Sequence, residues 1–149
     1  MKVAVGCDHA GFELKARVVE TLRQLGAEVQ DLGTHDRQSV DYVDYGRLVA
    51  EAVARGAVDR GVAICGSGVG MSIVANKVDG VRAALCSDAH VARLSREHND
   101  ANVLCLGARL TGEALAAVIV RAFFEATFSG GRHARRVARI AAMERAPAR

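Results

Sequence analysis

Five short apolar runs alternate with segments of helical periodicity along this chain, and this rhythm constrains its fold more than any other feature. The runs cover residues 2–7, 27–32, 61–65, 81–86 and 102–107. Strands that are buried on both faces read as continuous apolar runs, and strands that alternate with helices are typical of parallel sheets. The sequence therefore predicts an α/β fold with a five-stranded parallel sheet, helices on both faces and right-handed crossovers.

Apolar residues at helical spacing predict a helix after each strand. The predicted helices cover residues 11–25 and 42–55, the segment from the glycine-rich stretch to about residue 78, residues 88–98 and 111–128, and a last basic segment at 132–145. Gly26 and Gly56 follow the first two helices, where glycine commonly ends a helix. Asp88 and Thr111 stand at N-cap positions of later helices. A chain of 149 residues is expected to form a single domain, 1–149.

Composition excludes several classes of function. Half of the residues are hydrophobic and a quarter are charged, which is typical of globular proteins. Aromatic residues make up 4% of the chain and Trp is absent, so the stacking surface of a single-strand nucleic-acid binder is missing. The N-terminal apolar run ends at Asp8 and is too short for a signal peptide or a membrane span. We expect a cytoplasmic protein that binds neither nucleic acid nor membranes.

The four cysteines are not spaced like a metal or redox motif. Cys7, Cys65, Cys86 and Cys105 contain no C-x-x-C pair, so the sequence indicates no metal site. We expect three of them to be buried as small hydrophobic residues, with their thiols reduced. All four fall at or near the carboxyl ends of predicted strands, and ligands of open α/β sheets bind at that edge.

The stretch ICGSGVGMS, residues 64–72, is the densest glycine cluster of the chain. Its spacing, Gly66-x-Gly68-x-Gly70, matches neither the dinucleotide fingerprint nor the P-loop. Asp88 follows at about the distance of a ribose-binding acid. However, the cluster follows the third strand, and the chain is too short to add a substrate domain. Alternatively, the glycines only let a helix approach the sheet closely.

Cys65 stands directly before this cluster, and its position suggests chemistry. The glycine loop offers free backbone N–H groups at the start of a helix, and such groups attract negative charge. A thiol there is favoured as the thiolate, which acts as a nucleophile or a base. The amides of residues 66–70 can stabilise an oxyanion beside it. A nucleotide- or anion-binding module without catalysis is the alternative built on the same loop.

Two further pairs of polar residues have both a functional and a structural interpretation. Asp8 and His9 follow the first strand, where they suit either a ligand site or a helix cap with a surface histidine. His98 and Asn99 lie at a helix end before the fifth strand. A histidine there often only compensates the helix dipole.

Basic residues near the C-terminus suggest a phosphate site. Arg132 and Arg136 are four residues apart and share one face of a helix. Two guanidinium groups aimed together suit a dianionic phosphate, although a solvated basic face is the commoner use of such a run. Arg109 follows the fifth strand and either joins them or packs against the fold.

Four motifs together resemble a known family. They are CDHAGF at 7–12, ICGSGVGMSIVANK at 64–77, LSREHNDANVL at 94–104 and GGRHARRV at 130–137. In this order they resemble the type B ribose-5-phosphate isomerases of the ribose/galactose isomerase family. The resemblance implies a three-layer α/β/α Rossmann-like domain that works as a homodimer or tetramer without metal or cofactor. It also implies interconversion of ribose 5-phosphate and ribulose 5-phosphate through a cis-enediolate.

The resemblance also implies roles for individual residues in catalysis. Cys65 is the base that moves a proton between C1 and C2, and Ser67 assists proton movement at the substrate oxygens. The enediolate is bound by the amides of the loop: Gly66, Ser67, Gly68, Val69 and Gly70. His98 opens the furanose ring, with Asp8 nearby at the substrate.

A second set of residues is implied to bind the substrate. Asn99 holds a sugar hydroxyl, and Tyr42 and His133 are further candidates. The phosphate is bound by His9, Arg109, Arg132 and Arg136. The site of this family lies between subunits, so we expect the basic helix at about 132–145 to pack on a partner and its arginines to serve a shared site.

Two positions depart from patterns known in the family. Some members lack the cysteine and use a glutamate just after the third glycine, where this chain has Met71, which cannot take a proton. Val43 stands where a proline often follows the first tyrosine, which weakens the assignment of Tyr42. Relatives act on allose 6-phosphate, galactose 6-phosphate or erythrulose 4-phosphate, so the preferred sugar depends on the loop at about 34–46.

Overall fold

The computed structural model describes residues 1–144 as a parallel sheet between two layers of helices. The strands are β1 (Lys2–Cys7), β2 (Glu28–Asp31), β3 (Arg60–Cys65), β4 (Ala83–Leu85) and β5 (Val103–Gly107). The helices are α1 (Phe12–Gln24), α2 (Tyr42–Ala54), α3 (Val69–Ala75), α4 (Ala89–Asn99), α5 (Glu113–Glu125) and α6 (Arg132–Glu144). All five strands are parallel in the order β2-β1-β3-β5-β4, which confirms the predicted fold class.

Each side of the sheet carries its own hydrophobic core because successive strand residues point to opposite faces. Val62 and Ile64 of β3 belong to the core under α1, α4 and α5. Ala63 and Cys65 belong to the core under α2 and α3. The second core uses smaller strand residues, so α2 packs closely on β1 and β3.

Most predicted helix boundaries are confirmed. Gly26 and Gly56 follow α1 and α2 with φ angles of 78° and 71°. Asp88 caps α4, since its carboxylate accepts a hydrogen bond from the Val91 amide at 2.9 Å. The ends of α3 and α5 were predicted about three residues too late.

The prediction that Thr111 caps α5 is wrong. The N-cap is Gly112, which makes no side-chain cap hydrogen bond. Thr111 is buried, and its amide donates to the Gly107 carbonyl at 2.9 Å, so it belongs to the turn that leaves β5. The predicted helix at 132–145 is observed as α6 as far as Glu144, while Arg145 and the tail around Pro147 lie outside the described residues.

Among residues 1–144, no helix combines the length and the apolar character that crossing a bilayer requires.

The close packing of α2 on β3 gives a test of the second core. A Cβ added at Gly61 would lie 2.5 Å from a methyl carbon of Val49 on α2. We expect Gly61→Ala to lower the free energy of unfolding by about 1–3 kcal/mol through overpacking. Val49→Ala removes the opposing methyl group and, alone, costs about 1–3 kcal/mol through the cavity it leaves. Urea denaturation measures both.

The double variant is the control for this interpretation. Because Val49→Ala makes room for the new methyl group, Gly61→Ala combined with Val49→Ala should cost at least about 1 kcal/mol less than the sum of the single effects. Additive losses would mean that the two residues do not compete for the same space.

Candidate active site

The carboxyl ends of the central strands form a cleft of about 600 Å³. The strand register places Cys7 beside Ile64 and Cys65 beside Gly107, so the segments that follow β1, β3 and β5 leave the sheet side by side. The cleft is lined by Asp8, His9, Ala10, Tyr42, Cys65, Gly66, Ser67, Val69, Gly70, Ile73, Arg109 and Leu110. Its size suits a small-molecule ligand.

The glycine loop lies tightly against β5, and its backbone requires glycine. Gly68 adopts the left-handed conformation with φ 78° and stands directly before α3. A Cβ there would lie 2.8 Å from the Leu106 carbonyl carbon, and one at Gly107 would lie 2.5 Å from the Ser67 oxygen. This close approach directs the amides of the loop back toward the end of β3.

Cys65 is the last residue of β3 and is 5% exposed. Its Sγ accepts a hydrogen bond from the Gly68 amide at 3.2 Å. The sulfur therefore lies at the cleft in the arrangement that the sequence predicted for a base or nucleophile.

The other three cysteines are buried and free, as predicted. Burial raises the pKa of Cys7 to about 11 and that of Cys86 to about 11. Desolvation raises the pKa of Cys105 still further from its ordinary value. These three thiols stay protonated at neutral pH and act as small hydrophobic residues in the two cores.

Asp8 and His9 are held firmly at the end of β1. The buried carboxylate of Asp8 accepts from the Gly11 amide at 3.0 Å, which shapes the turn before α1. The Nδ1 atom of His9 accepts from the Val40 amide at 3.2 Å. A neutral histidine whose Nδ1 accepts carries its proton on Nε2, so His9 offers an N–H donor.

Arg109 and Tyr42 cover the glycine loop. A methyl group on Gly66 would lie 3.2 Å from a guanidinium nitrogen of Arg109, and one on Gly70 would lie 2.5 Å from the Tyr42 ring. Arg109 thus brings a positive charge next to the loop, and Tyr42 reaches it from the first turn of α2.

His98, Asn99, Arg132, His133 and Arg136 do not line this cleft. His98 and Asn99 end α4, just before β5, and Val103 of β5 aligns with Gly61 of β3. Cys65 lies four residues further along β3 than that level, which is about 13 Å along the strand. The candidate residues of one chain therefore lie at opposite ends of the strands: one set at the carboxyl edge of the sheet and the other at the amino edge.

At this second edge, α4 and α6 meet through two histidines. The rings of His98 and His133 stack with centroids 4.3 Å apart and an interplanar angle of 6°. Desolvation, together with His98 and two of the arginines of α6, Arg132 and Arg136, lowers the pKa of His133. The stacked pair joins the end of α4 to the start of the basic helix.

Comparison with known proteins decides the family. A family model described as Ribose/Galactose Isomerase matches residues 3–140. The chain belongs to this family. It is 52% identical over 143 residues to the ribose-5-phosphate isomerase B of Escherichia coli (strain K12), a match that covers 96% of each chain.

Solved structures of the family share the fold over nearly the whole chain. The ribose-5-phosphate isomerase B of Clostridium thermocellum matches with a TM-score of 0.95 at 53% identity, covering 97% of this chain and 98% of that one. The Mycoplasma genitalium ribose-5-phosphate isomerase B, solved with bound ribulose-5-phosphate, matches with a TM-score of 0.92 at 40% identity and covers 97% and 96%. These likenesses confirm the resemblance that the motifs indicated.

The structure at Met71 and Asp88 bears on two alternatives, a glutamate base in the loop and a ribose-binding acid. Met71, at the place where some family members have a glutamate, is fully buried and packs toward Gly46 of α2. No acid stands there, so Cys65 remains the candidate base of the loop. Asp88, considered as a ribose-binding acid, is engaged as the cap of α4.

The sequence did not reveal the apolar rim of the cleft. Leu110 is 74% exposed, and Ile73 and Val69 of α3 are also exposed beside the polar loop. The sequence does contain one indication of Leu110: it directly follows Arg109 and belongs to no helical or strand periodicity. Exposed apolar side chains that border a polar site are typical of a surface that another molecule covers.

Thiol alkylation tests the difference between Cys65 and the other cysteines. Cys7 and Cys86 have pKa values raised to about 11, so they form thiolate only as the pH approaches 11. At pH 8 we expect iodoacetamide to modify Cys65 at least about tenfold faster than the other three, because its sulfur lies at the cleft whereas theirs are buried in the two cores with raised pKa values. Peptide mass spectrometry after a short exposure measures this rate.

Cys65→Ala is the control, and it should take up almost no label over the same time. Labelling of Cys7, Cys86 or Cys105 at the rate of Cys65 would contradict the assignment of the sulfur at the cleft as the reactive one.

Proposed function

We propose that this protein interconverts D-ribose 5-phosphate and D-ribulose 5-phosphate through a cis-enediolate, with Cys65 as the base. The observation that carries the proposal is the sulfur of Cys65, which accepts from the Gly68 amide inside a cleft that also holds His9 and Arg109. The names of the relatives from Escherichia coli and Clostridium thermocellum support ribose 5-phosphate as the substrate.

The chemistry requires a base next to donors for a developing oxyanion. The Cys65 thiolate takes the proton from C2 of the open-chain aldose. The electron pair of that C–H bond forms the C1=C2 double bond, and the carbonyl π electrons move to the oxygen on C1. The loop amides of Gly66, Ser67 and Gly70 stabilise the enediolate, whereas those of Gly68 and Val69 donate to Cys65 and Ser67. Return of the proton to C1 gives the ketose. A preorganised donor of this kind contributes about 10²–10³ in rate.

Ser67 suits the proton transfer between the two substrate oxygens. Its hydroxyl oxygen accepts from the Val69 amide at 3.3 Å, which leaves its own proton free to donate toward the cleft. The hydroxyl can therefore give a proton to the oxygen on C1 and take one from the oxygen on C2.

The phosphate and the sugar ring require residues from both edges of the sheet. His9 and Arg109 lie in the cleft, whereas Arg132, Arg136 and the ring-opening His98 lie at the opposite edge of the same chain. We propose that a second copy of the chain places the amino ends of its strands against this cleft. Its Asn99 then binds a sugar hydroxyl, and its His133 lies beside its His98.

Exposed apolar residues support such an assembly. Leu110 and Ile73 border the cleft, and α6 exposes Ile140 and Met143 while burying none of its side chains. A surface of this kind suits a homodimer with α6 packed on the partner, and pairs of dimers would give a tetramer. A base that must stay a thiolate suits the cytoplasm, where thiols remain reduced.

Replacement of the base tests the chemistry. We expect Cys65→Ala to lower kcat for ribose 5-phosphate by at least about a thousandfold, because general base catalysis is lost. Binding of the substrate should persist, since Cys65 does not hold the phosphate, and isothermal titration calorimetry measures it. Cys86→Ala removes a buried thiol near the same edge of the sheet and should leave kcat within about twofold, since its thiol stays protonated.

Turnover retained by Cys65→Ala would refute the assignment of the base. The wild-type kcat/KM for ribose 5-phosphate should exceed the values for allose 6-phosphate, galactose 6-phosphate and erythrose 4-phosphate. A higher value for one of these would reassign the substrate and leave the role of Cys65 intact. Binding of NAD with no turnover of any sugar phosphate would favour the anion-binding module.

Mixing two inactive variants tests the shared site. Cys65→Ala lacks the base and Arg136→Ala lacks a phosphate ligand, so each homodimer should be poorly active at low substrate concentration. In a mixed dimer one of the two sites receives an intact Cys65 from one chain and an intact Arg136 from the other. After exchange of equal amounts we expect about a quarter of the wild-type activity.

The same mixture without subunit exchange is the control and should stay inactive. If complete exchange restores nothing, each chain uses its own Arg136 and the shared site is excluded.

A further inference from the structure

The loop between α4 and β5 holds an unusual backbone conformation next to the proposed ring-opening residue. Asp100 is the only non-glycine residue among 1–144 with a positive φ, at 47°. It directly follows His98 and Asn99 and ends α4 in the left-handed conformation. Aspartate tolerates this conformation better than most residues, but the conformation still needs support from its surroundings.

Arg82 supplies that support from the residue before β4. Its Nε donates to the Asn99 carbonyl at 3.1 Å and to the Asp100 carbonyl at 3.1 Å. Its Nη2 donates to the same Asp100 carbonyl at 2.9 Å and to the Asp100 carboxylate at 3.2 Å. The last carbonyls of a helix have no partner within the helix, so Arg82 caps the end of α4.

Arg96 holds the same aspartate from inside α4. Its Nη1 donates to the Asp100 carboxylate at 2.8 Å and to the Ala101 carbonyl at 2.6 Å. The Arg96 side chain is 7% exposed, so Asp100 also neutralises a buried charge. We call Arg82, Arg96 and Asp100 the α4 clamp.

Ring opening needs an imidazole held at hydrogen-bonding distance from the sugar. Small errors in such a position are costly, since a displacement of 1 Å can cost about a hundredfold in rate. His98 lies in the last turn of α4, and its ring is packed on one face by His133. The direction of that last turn is set by the bonds from Arg82 to the Asn99 and Asp100 carbonyls.

We propose that Arg82 and Asp100 are positioning residues for ring opening: by fixing the last turn of α4, they place His98. This inference rests on the proposed function, in which His98 opens the furanose ring. Arg82 and Asp100 act through the last turn of α4, which also carries Asn99. A shift of Asn99 would affect ring-forming and open-chain sugars alike, so the difference between the two sugars reports on His98. Loss of Arg82 or Asp100 should therefore impair sugars that must be opened and spare a sugar that has no ring.

The test compares two substrates in one variant. Erythrose 4-phosphate cannot form a furanose ring, because the oxygen that would close the ring carries the phosphate. Arg82→Met removes the donors while the pair of Arg96 and Asp100 remains to keep the chain folded. We expect kcat/KM for ribose 5-phosphate to fall at least about tenfold and that for erythrose 4-phosphate less than about threefold.

Three further variants define the mechanism of any loss. Arg82→Lys keeps the charge and one donor direction, and it should recover part of the activity on ribose 5-phosphate. Asp100→Asn keeps a residue that tolerates positive φ while removing the carboxylate, and it should show the same substrate pattern as Arg82→Met. Arg47→Met removes an exposed arginine paired with Glu51 on α2, far from the clamp, and should change neither activity.

Ligand binding provides a second measurement that does not depend on how fast the wild type turns over erythrose 4-phosphate. The Kd of 4-phospho-D-erythronate, an open-chain anion, should change less than about twofold in Arg82→Met, because the cleft is intact. Equal losses for both sugars, or a Kd that rises in parallel with the loss of activity, would show a general structural role and overturn the proposal.

His98→Ala separates this proposal from the one it rests on. We expect it to impair ribose 5-phosphate selectively, as Arg82→Met does. If His98→Ala slows both sugars equally, the ring-opening role of His98 fails. If His98→Ala is selective and Arg82→Met is not, the role of His98 stands and only the clamp is refuted.

Discussion

The close contact between the glycine loop and the end of β5 is the constraint on which the site depends. A side chain at Gly68 or Gly107 would collide with the backbone of the other segment. Because the two segments touch, the loop turns back over β3, and the Gly68 amide reaches the sulfur of Cys65. The same turn places Arg109, which follows β5, against Gly66. A single packing contact thus positions the proposed base, the proposed oxyanion donors and one cation.

The elements of the fold could be predicted from the sequence because they depend on local signals. Apolar runs gave the five strands, and Gly26, Gly56 and Asp88 marked helix boundaries correctly. Thr111 failed because a turn hydrogen bond to Gly107 draws it into the interior, one residue before the helix begins. That outcome depends on how β5 packs, which local propensity does not contain.

The site was predictable in part for a similar reason. Cys65 and its loop are consecutive in sequence, so their geometry follows from a strand, a turn and a helix start. The apolar rim with Leu110 and Ile73 depends on which surface stays uncovered. The bond from Arg82 to the Asn99 carbonyl at the end of α4 joins residues 17 apart in the chain. Such contacts arise from the sheet order, in which β5 lies between β3 and β4.

The two edges of the sheet offer opposite electrostatic surroundings, and the proposed division of the chemistry uses both. Near Cys65 the donors are backbone N–H groups of the glycine loop, which suit the negative oxygen of an enediolate. At the end of α4 that carries His98 the exposed backbone groups are carbonyls, and those of Asn99 and Asp100 accept from Arg82. In a parallel sheet, each helix that follows a strand begins at the carboxyl ends of the strands and ends near their amino ends. A single sheet therefore does not place the start of one helix and the end of another at the same edge. The proposed pairing, in which the amino ends of one copy's strands face the cleft of the other, would bring a helix start and a helix end to one substrate.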